Sequence, residues 1–244
     1  MQSTIKKRTV LFLFSLFVAG ASYAQWNSVK GNGNMTTVTR TTGDYDGIKC
    51  AGNMDFVLVS GNEGQIKIEG EENLMEYIVT EVKGSNLIVK VKNGKTLKSS
   101  KGKTIKVTIP FEAISKVSLA GSGDLWNESP ISASDLDVSL AGSGDIVLDV
   151  KATSAKGAVA GSGDLTLKGS TNNLEVKVAG SGDFHGFSLE SNNTEVSIAG
   201  SGDAKVVSNE SIKGRVAGSG DIVYRGNPEK EDNKVAGSGT IKAN

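Results

Sequence analysis

In the second half of the chain, apolar and polar residues alternate in short bursts. Leu136, Val138 and Leu140 alternate with Asp137 and Ser139, and Leu174, Val176 and Val178 alternate with Glu175 and Lys177. Beyond a break of small residues, Ile146 and Leu148 bracket Val147, and Leu165 and Leu167 bracket Thr166. A period of two on both sides of a break predicts strand, turn, strand. A second turn rich in Asn, Ser, Gly or Lys closes each unit, as in GSTNN at 169–173, SNN at 191–193 and SNES at 208–211.

The break is one pentapeptide. AGSGD stands at 120–124, 141–145, 160–164, 179–183, 199–203 and 217–221, and AGSGT at 236–240. From Gly121 to Gly237 its first glycines are spaced by 21, 19, 19, 20, 18 and 19 residues. Two short strands in such a unit cannot bury an apolar face alone. Stacked coil on coil, each strand pairs with its counterpart one repeat later, and the inward residues form continuous ladders. At a strand spacing of about 4.8 Å, seven motifs span roughly 30 Å. A sandwich of hairpins has no reason to hold one identical turn at constant period. The predicted fold is an all-β solenoid.

In this reading the pentapeptide is a corner, carried by Gly121, Gly123 and Asp124; Gly142, Gly144 and Asp145; Gly161, Gly163 and Asp164; Gly180, Gly182 and Asp183; Gly200, Gly202 and Asp203; and Gly218, Gly220 and Asp221. Glycine takes positive φ at little cost. A side chain at either glycine would meet the neighbouring coil, whereas Ala, Ser and Asp are small enough to stack. Ser and Asp are expected to bond nearby backbone N–H groups and close the corner.

Residues 25–119 carry weaker copies of the same signals. KCAGNMDFVLV at 49–59 reads as a degenerate unit, with Asn53 and Met54 in the places of the serine and second glycine. That alignment puts Cys50 in the column of Leu119, Leu140, Val159, Val178, Ile198, Val216 and Val235, which should face the core. A buried, inert thiol is expected there. EENLMEYIVTEV at 71–82 spaces Leu74 and Ile78 one helical turn apart and predicts a short helix or a wide corner. The runs at 85–93 and 103–111 read as strands. In the last unit, RGNPEKEDNK at 225–234 places Pro228 and a run of charges in the outer turn, a recognised defence for an open strand edge and the expected natural end of the stack.

Composition narrows the function classes. The 244 residues carry 27 basic and 27 acidic side chains, scattered and not clustered, which is unlike the basic footprint of a nucleic-acid binder. The single cysteine rules out an intrachain disulfide. At the N-terminus, Lys6, Lys7 and Arg8 precede an apolar stretch from Val10 to Val18 and a small-residue site at Ser22-Tyr23-Ala24. That order predicts a secretory signal peptide over 1–24 and a mature start at Gln25 without a lipid-bearing cysteine. The domain plan is therefore 1–24 signal peptide, 25–119 an irregular first part, and 120–244 the regular coils of the same domain.

The start GNGNMTTVTRTTGDYDGIKCAGNMDF, then ENLMEYIVTEV, then serial AGSGD turns, resembles the autotransporter-adhesin head (GIN) domain family common in Bacteroidetes. The resemblance covers nearly the whole mature chain. It implies a right-handed parallel β-helix related in shape to pectate lyases, with two main sheets joined at GSG corners. It supplies no catalytic residues and implies a role in adhesion.

Six stacked carboxylates could form a calcium ladder of the kind seen in nonapeptide β-rolls. Those rolls carry their motif at both ends of each coil and this chain at one end, so corner hydrogen bonding is the expected role and no cofactor is assigned. His185, the single histidine, has no partner at zinc-ligand spacing. It can be drawn into a triad with Ser181 and Asp183, but those two are turn residues of every repeat. AGSGD precedes a strand and lacks the lysine of a phosphate-binding loop. Trp126, Phe184, Phe187 and Tyr224 follow corners and could form a sugar-stacking stripe, although core packing suits their alternation better. The expected function is a secreted or periplasmic, non-enzymatic binding or structural surface. Its partner would be a glycan or a cell-surface protein, with no nucleic acid, no membrane span in the mature chain, and oligomerisation open. A polysaccharide-active enzyme and a calcium-ordered module are the alternatives.

Overall fold

The computed structural model describes residues 27–244, so the signal peptide predicted over 1–24 lies outside the described residues. It is an all-β solenoid of about seven turns with stacked parallel coils. The register matches the pentapeptide alignment: strands Ile146–Gly161 and Leu165–Gly180 pair in parallel with Ile146 opposite Leu165, Val159 opposite Val178 and Gly161 opposite Gly180. Inward residues of successive coils lie above one another, and Leu148, Val150, Leu167, Val176 and Val196 are fully buried. Stacking gives each short strand a partner on both faces, and burial along the ladder supplies the stability a single coil lacks.

In three coils the second turn differs from its prediction: pairing continues through it, so Ile146–Gly161, Leu165–Gly180 and Phe184–Gly200 are long strands. At SNES the predicted break is present, between Ala204–Val207 and Ser211–Gly218. Within Leu165–Gly180, Gly169 has φ 107°, and a Cβ there would lie 2.1 Å from the Val150 carbonyl oxygen. The two faces are thereby joined into one hydrogen-bonded network of eighteen strands. The 20-residue spacing from Gly180 to Gly200 has a local cause: Thr166 faces His185 and Lys168 faces Ser188, so Gly186 and Phe187 share the place opposite Leu167 in a bulge.

Chain order and spatial order part company before residue 116. Strand Gly47–Gly52 pairs with Lys116–Gly121 on one side and with Asn86–Val91 on the other. Likewise Asp55–Ser60 lies between Leu125–Asn127 and Lys106–Phe111. The degenerate unit is thus a true coil in register with the regular ones, with Cys50 opposite Leu119. The segment that follows it in sequence forms a further coil on its outer side. Cys50 is buried, and burial pushes its thiol well above the ordinary value, as an inert core residue requires.

Antiparallel strands close this end of the stack: Met35–Thr41 pairs with Gln65–Glu71, and Ile78–Lys83 with Asn86–Val91. The predicted helix is a 3-10 turn over Glu72–Tyr77 that buries Leu74 and Met75. Beside it, the buried Glu71 accepts hydrogen bonds from Ser100 Oγ at 2.6 Å, Ser100 N at 2.8 Å and Gly33 N at 2.6 Å. The Ser100 hydroxyl, its N–H and that of Gly33 hold the Glu71 carboxyl below its usual value against the opposing effect of burial.

The other end is open. Strand Lys230–Gly237 pairs with Ser211–Gly218 on one side, and every one of its residues is exposed. Val235 departs from the predicted core column: it is 44% exposed where Val216, one coil earlier, is 3% exposed, because no further coil among the described residues covers it. The charges expected in the outer turn stand on the strand itself, at Lys230, Glu231, Asp232 and Lys234, where they discourage pairing of the free edge.

Candidate functional site

The corners can be accounted for bond by bond. The Gly142 carbonyl oxygen accepts hydrogen bonds from Ser162 N at 2.8 Å and Gly163 N at 3.0 Å in the next coil, and the same pair recurs from Gly52 to Gly218. The aspartate N–H comes next, and its acceptor is the aspartate side chain of the preceding coil. Asp164 N donates to Asp145 Oδ1 at 3.0 Å, Asp183 N to Asp164 Oδ1 at 3.0 Å, Asp203 N to Asp183 Oδ1 at 2.7 Å and Asp221 N to Asp203 Oδ1 at 2.8 Å. Thr240 closes the series with both its N–H and its hydroxyl on Asp221 Oδ1. Asp55 begins it, in the degenerate coil, although 69 residues separate Asp55 from Asp124.

The corner thus differs from its prediction in three respects. Each aspartate binds the backbone of the next coil instead of closing its own. The serines are exposed, and among the described residues their hydroxyls make none of the corner bonds. A Cβ on either glycine would meet the neighbouring coil, 2.3 Å from the Gly142 carbonyl oxygen at Gly161 and 2.0 Å from the Gly144 carbonyl oxygen at Gly163, but only the first of the two has positive φ, 131° at Gly161. Each carboxylate charge is relieved by an N–H donor, which stacked like charges need. Asp203→Ala should therefore destabilise by about 1 kcal/mol, the net worth of one such bond, while Asp203→Asn, which keeps an acceptor oxygen, should change little. Urea unfolding of both variants checks this, and equal losses would deny the acceptor role.

Outside the corners, the alanines of the motif form an exposed row from Ala120 to Ala236. Along the last four coils this row floors a shallow groove of about 870 Å³. Its lining repeats by coil: Lys177 to Ala179, Ser197 to Ala199, Arg215 to Ala217 and Lys234 to Ala236. Lys177 is paired with Glu175 at 2.6 Å and Arg215 with Asp232, so two of the three cations along the rim are held by neighbouring carboxylates. The lining contains no carboxylate.

The aromatic residues are divided. Phe184 and Tyr224 are buried, while Trp126 and Phe187 are partly exposed beneath Lys106 and Arg225 respectively. They do not form one stripe. His185 projects from the strand after its corner and brings Nε2 to 3.6 Å from Asp164 Oδ2, on the preceding coil. Among the described residues no hydrogen bond joins His185 to Ser181, so the paper triad does not assemble. Sequence spacing could not reveal the His185–Asp164 approach, since it spans two coils.

Stacked like coils, a carboxylate-to-backbone ladder along one edge and a shallow repeating groove outside define a β-solenoid scaffold. Among the described residues no helix is long and apolar enough to cross a membrane. The chain belongs to the family described as "Putative auto-transporter adhesin, head GIN domain", whose model matches residues 44–228. Its fold is similar to that of a putative adhesin from Bacteroides fragilis NCTC 9343, with TM-score 0.78 and 24% identity over 88% of this chain and 100% of that one. It is also similar to a putative lipid binding protein from Parabacteroides distasonis ATCC 8503, with TM-score 0.73 and 25% identity over 89% of this chain and 99% of that one. A putative adhesin from Parabacteroides merdae ATCC 43184 shares the fold at TM-score 0.69 and 22% identity, over 89% of this chain and 99% of that one. No curated protein matches the chain.

Proposed function

We propose that this protein is a non-enzymatic adhesin that works outside the cytoplasm and holds an extended ligand, a glycan chain, along the alanine-floored groove. The observation that carries the reading is the repetition of one lining pattern, a polar residue, a β-branched residue and an alanine, over four coils. A rigid surface with a rung every ~4.8 Å offers the same contact again and again, which suits an elongated, repetitive partner. The family's adhesin description and the leader at 1–24 point the same way. Glycoside hydrolysis needs a pair of carboxylates flanking the bond, and the groove lining has none.

A second occupant is favoured by the groove's chemistry. Alanine methyls beside Lys234 also suit the acyl chain of an anionic amphiphile, and one structural neighbour is described as a putative lipid binding protein. Glycan arrays and liposome co-sedimentation with the mature chain separate the two. Ala199→Glu together with Ala217→Glu, on the exposed row, should abolish binding and leave the melting temperature near its original value. Retained binding by that variant, or release of reducing ends from a polysaccharide, would overturn the proposal.

A further inference from the structure

We propose that Asp164, Asp183 and His185 form a binding site for one divalent cation of the zinc type. The ligands would be His185 Nε2 and one carboxylate oxygen from each aspartate, with water completing the shell.

The argument is geometric first. One ligand atom from each of the three side chains lies within 4.8 Å of the other two. The His185 Nε2 to Asp164 Oδ2 separation of 3.6 Å is too long for a hydrogen bond. It is close to the spacing of about 3.4 Å between two ligands at 2.1 Å from one tetrahedral zinc ion. The carboxylates are also held in place. Asp164 Oδ1 is occupied by Asp183 N and Asp183 Oδ1 by Asp203 N, so their second oxygens are oriented by the backbone of the next coil. The three residues are partly exposed, which leaves room for ion entry and for water.

The site is particular to one coil. Residues two places after the corner aspartates are Trp126, Val147, Thr166, His185, Lys205 and Val223. His185 alone among them offers a ligand nitrogen, and its column neighbours are Thr166 and Lys205. The corner ladder supplies carboxylates to every coil but the last, and one histidine converts one rung into a mixed nitrogen and oxygen site. That donor set favours zinc-type ions over calcium, which takes oxygen ligands.

The single histidine makes the test direct. In nitrogen-15-labelled mature chain without a polyhistidine tag, zinc should shift the Nε2 resonance of His185 and saturate at one ion per chain. His185→Gln and Asp183→Asn should each weaken binding by more than about tenfold, since even outer-shell changes cost that much. The asparagine keeps an acceptor for Asp203 N, so the corner survives. Asp124→Asn, in a coil without histidine, should bind zinc as the unaltered chain does. An imidazole resonance that zinc leaves unmoved, or equal zinc affinity after His185→Gln, would overturn the site. A calcium response equal to that of zinc would overturn the choice of ion.

Discussion

Gly163→Val is expected to destabilise the protein by about 3 kcal/mol or more, in the upper range for forcing atoms into a closed space. Gly239→Val should cost clearly less. At both positions a Cβ would lie 2.0 Å from the carbonyl oxygen of the glycine one coil earlier, Gly144 in one case and Gly220 in the other. The initial clash is therefore the same, and the difference lies in what can move. Gly163 is buried, with coils on both sides, and separating it from Gly144 would stretch the hydrogen bonds from Ser162 and Gly163 to the Gly142 carbonyl. Gly239 belongs to the last coil, whose strand Lys230–Gly237 is exposed throughout and can lift away. Neither glycine has positive φ, so backbone strain does not contribute and the comparison isolates stacking. Urea unfolding of the two variants measures it. Equal losses would mean that the last coil does not lift away to relieve the clash.

Phe184→Ala should cost about 3–5 kcal/mol, the range for emptying a buried aromatic site. Phe184 is fully buried, and in the regular coils its column is otherwise held by the smaller Leu125, Ile146, Leu165, Ala204, Ile222 and Ile241. Its greater bulk is accommodated by absences around it. A Cβ on Gly157 would lie 3.0 Å from Phe184 Cε2, and one on Gly186 would lie 2.6 Å from Cε1. The ring is fitted between two glycines, one of them in the bulge. The same geometry predicts coupling. Gly157→Ala alone should destabilise, because it crowds the ring. In the Phe184→Ala background it should be neutral or stabilising, because it fills part of the space left. A double-mutant cycle by urea unfolding measures the interaction, and simple additivity would show that Gly157 does not make room for the ring.

Much of this architecture was legible in the residues. The pentapeptide announced the coil because a stacked fold imposes the same steric demand at the same place in every turn. Gly121 to Gly237 record that demand at nearly constant spacing. The alternation of Leu174, Val176 and Val178 marks an inward face, and the 71–82 pattern marks the short helical turn at Leu74, although Ile78 opens the next strand instead of continuing the helix. Cys50 was placed in its core column by alignment to the motif alone. Val235 was misplaced for a plain reason: its position in the repeat is that of a core residue, but burial also needs a neighbour above.

What could be read along the chain was the period, the corners and the inward column, because each is a local pattern dictated by φ, by strand alternation and by the size of side chains that must stack. The tertiary structure alone decided which coil lies beside which. It set the 47–60 coil between 86–111 and 116–127, sent each aspartate to the N–H of the following coil, and brought His185 to Asp164. Those relations join residues from 18 to 69 positions apart. They depend on the stack being assembled in register, and no single turn of the chain contains the information.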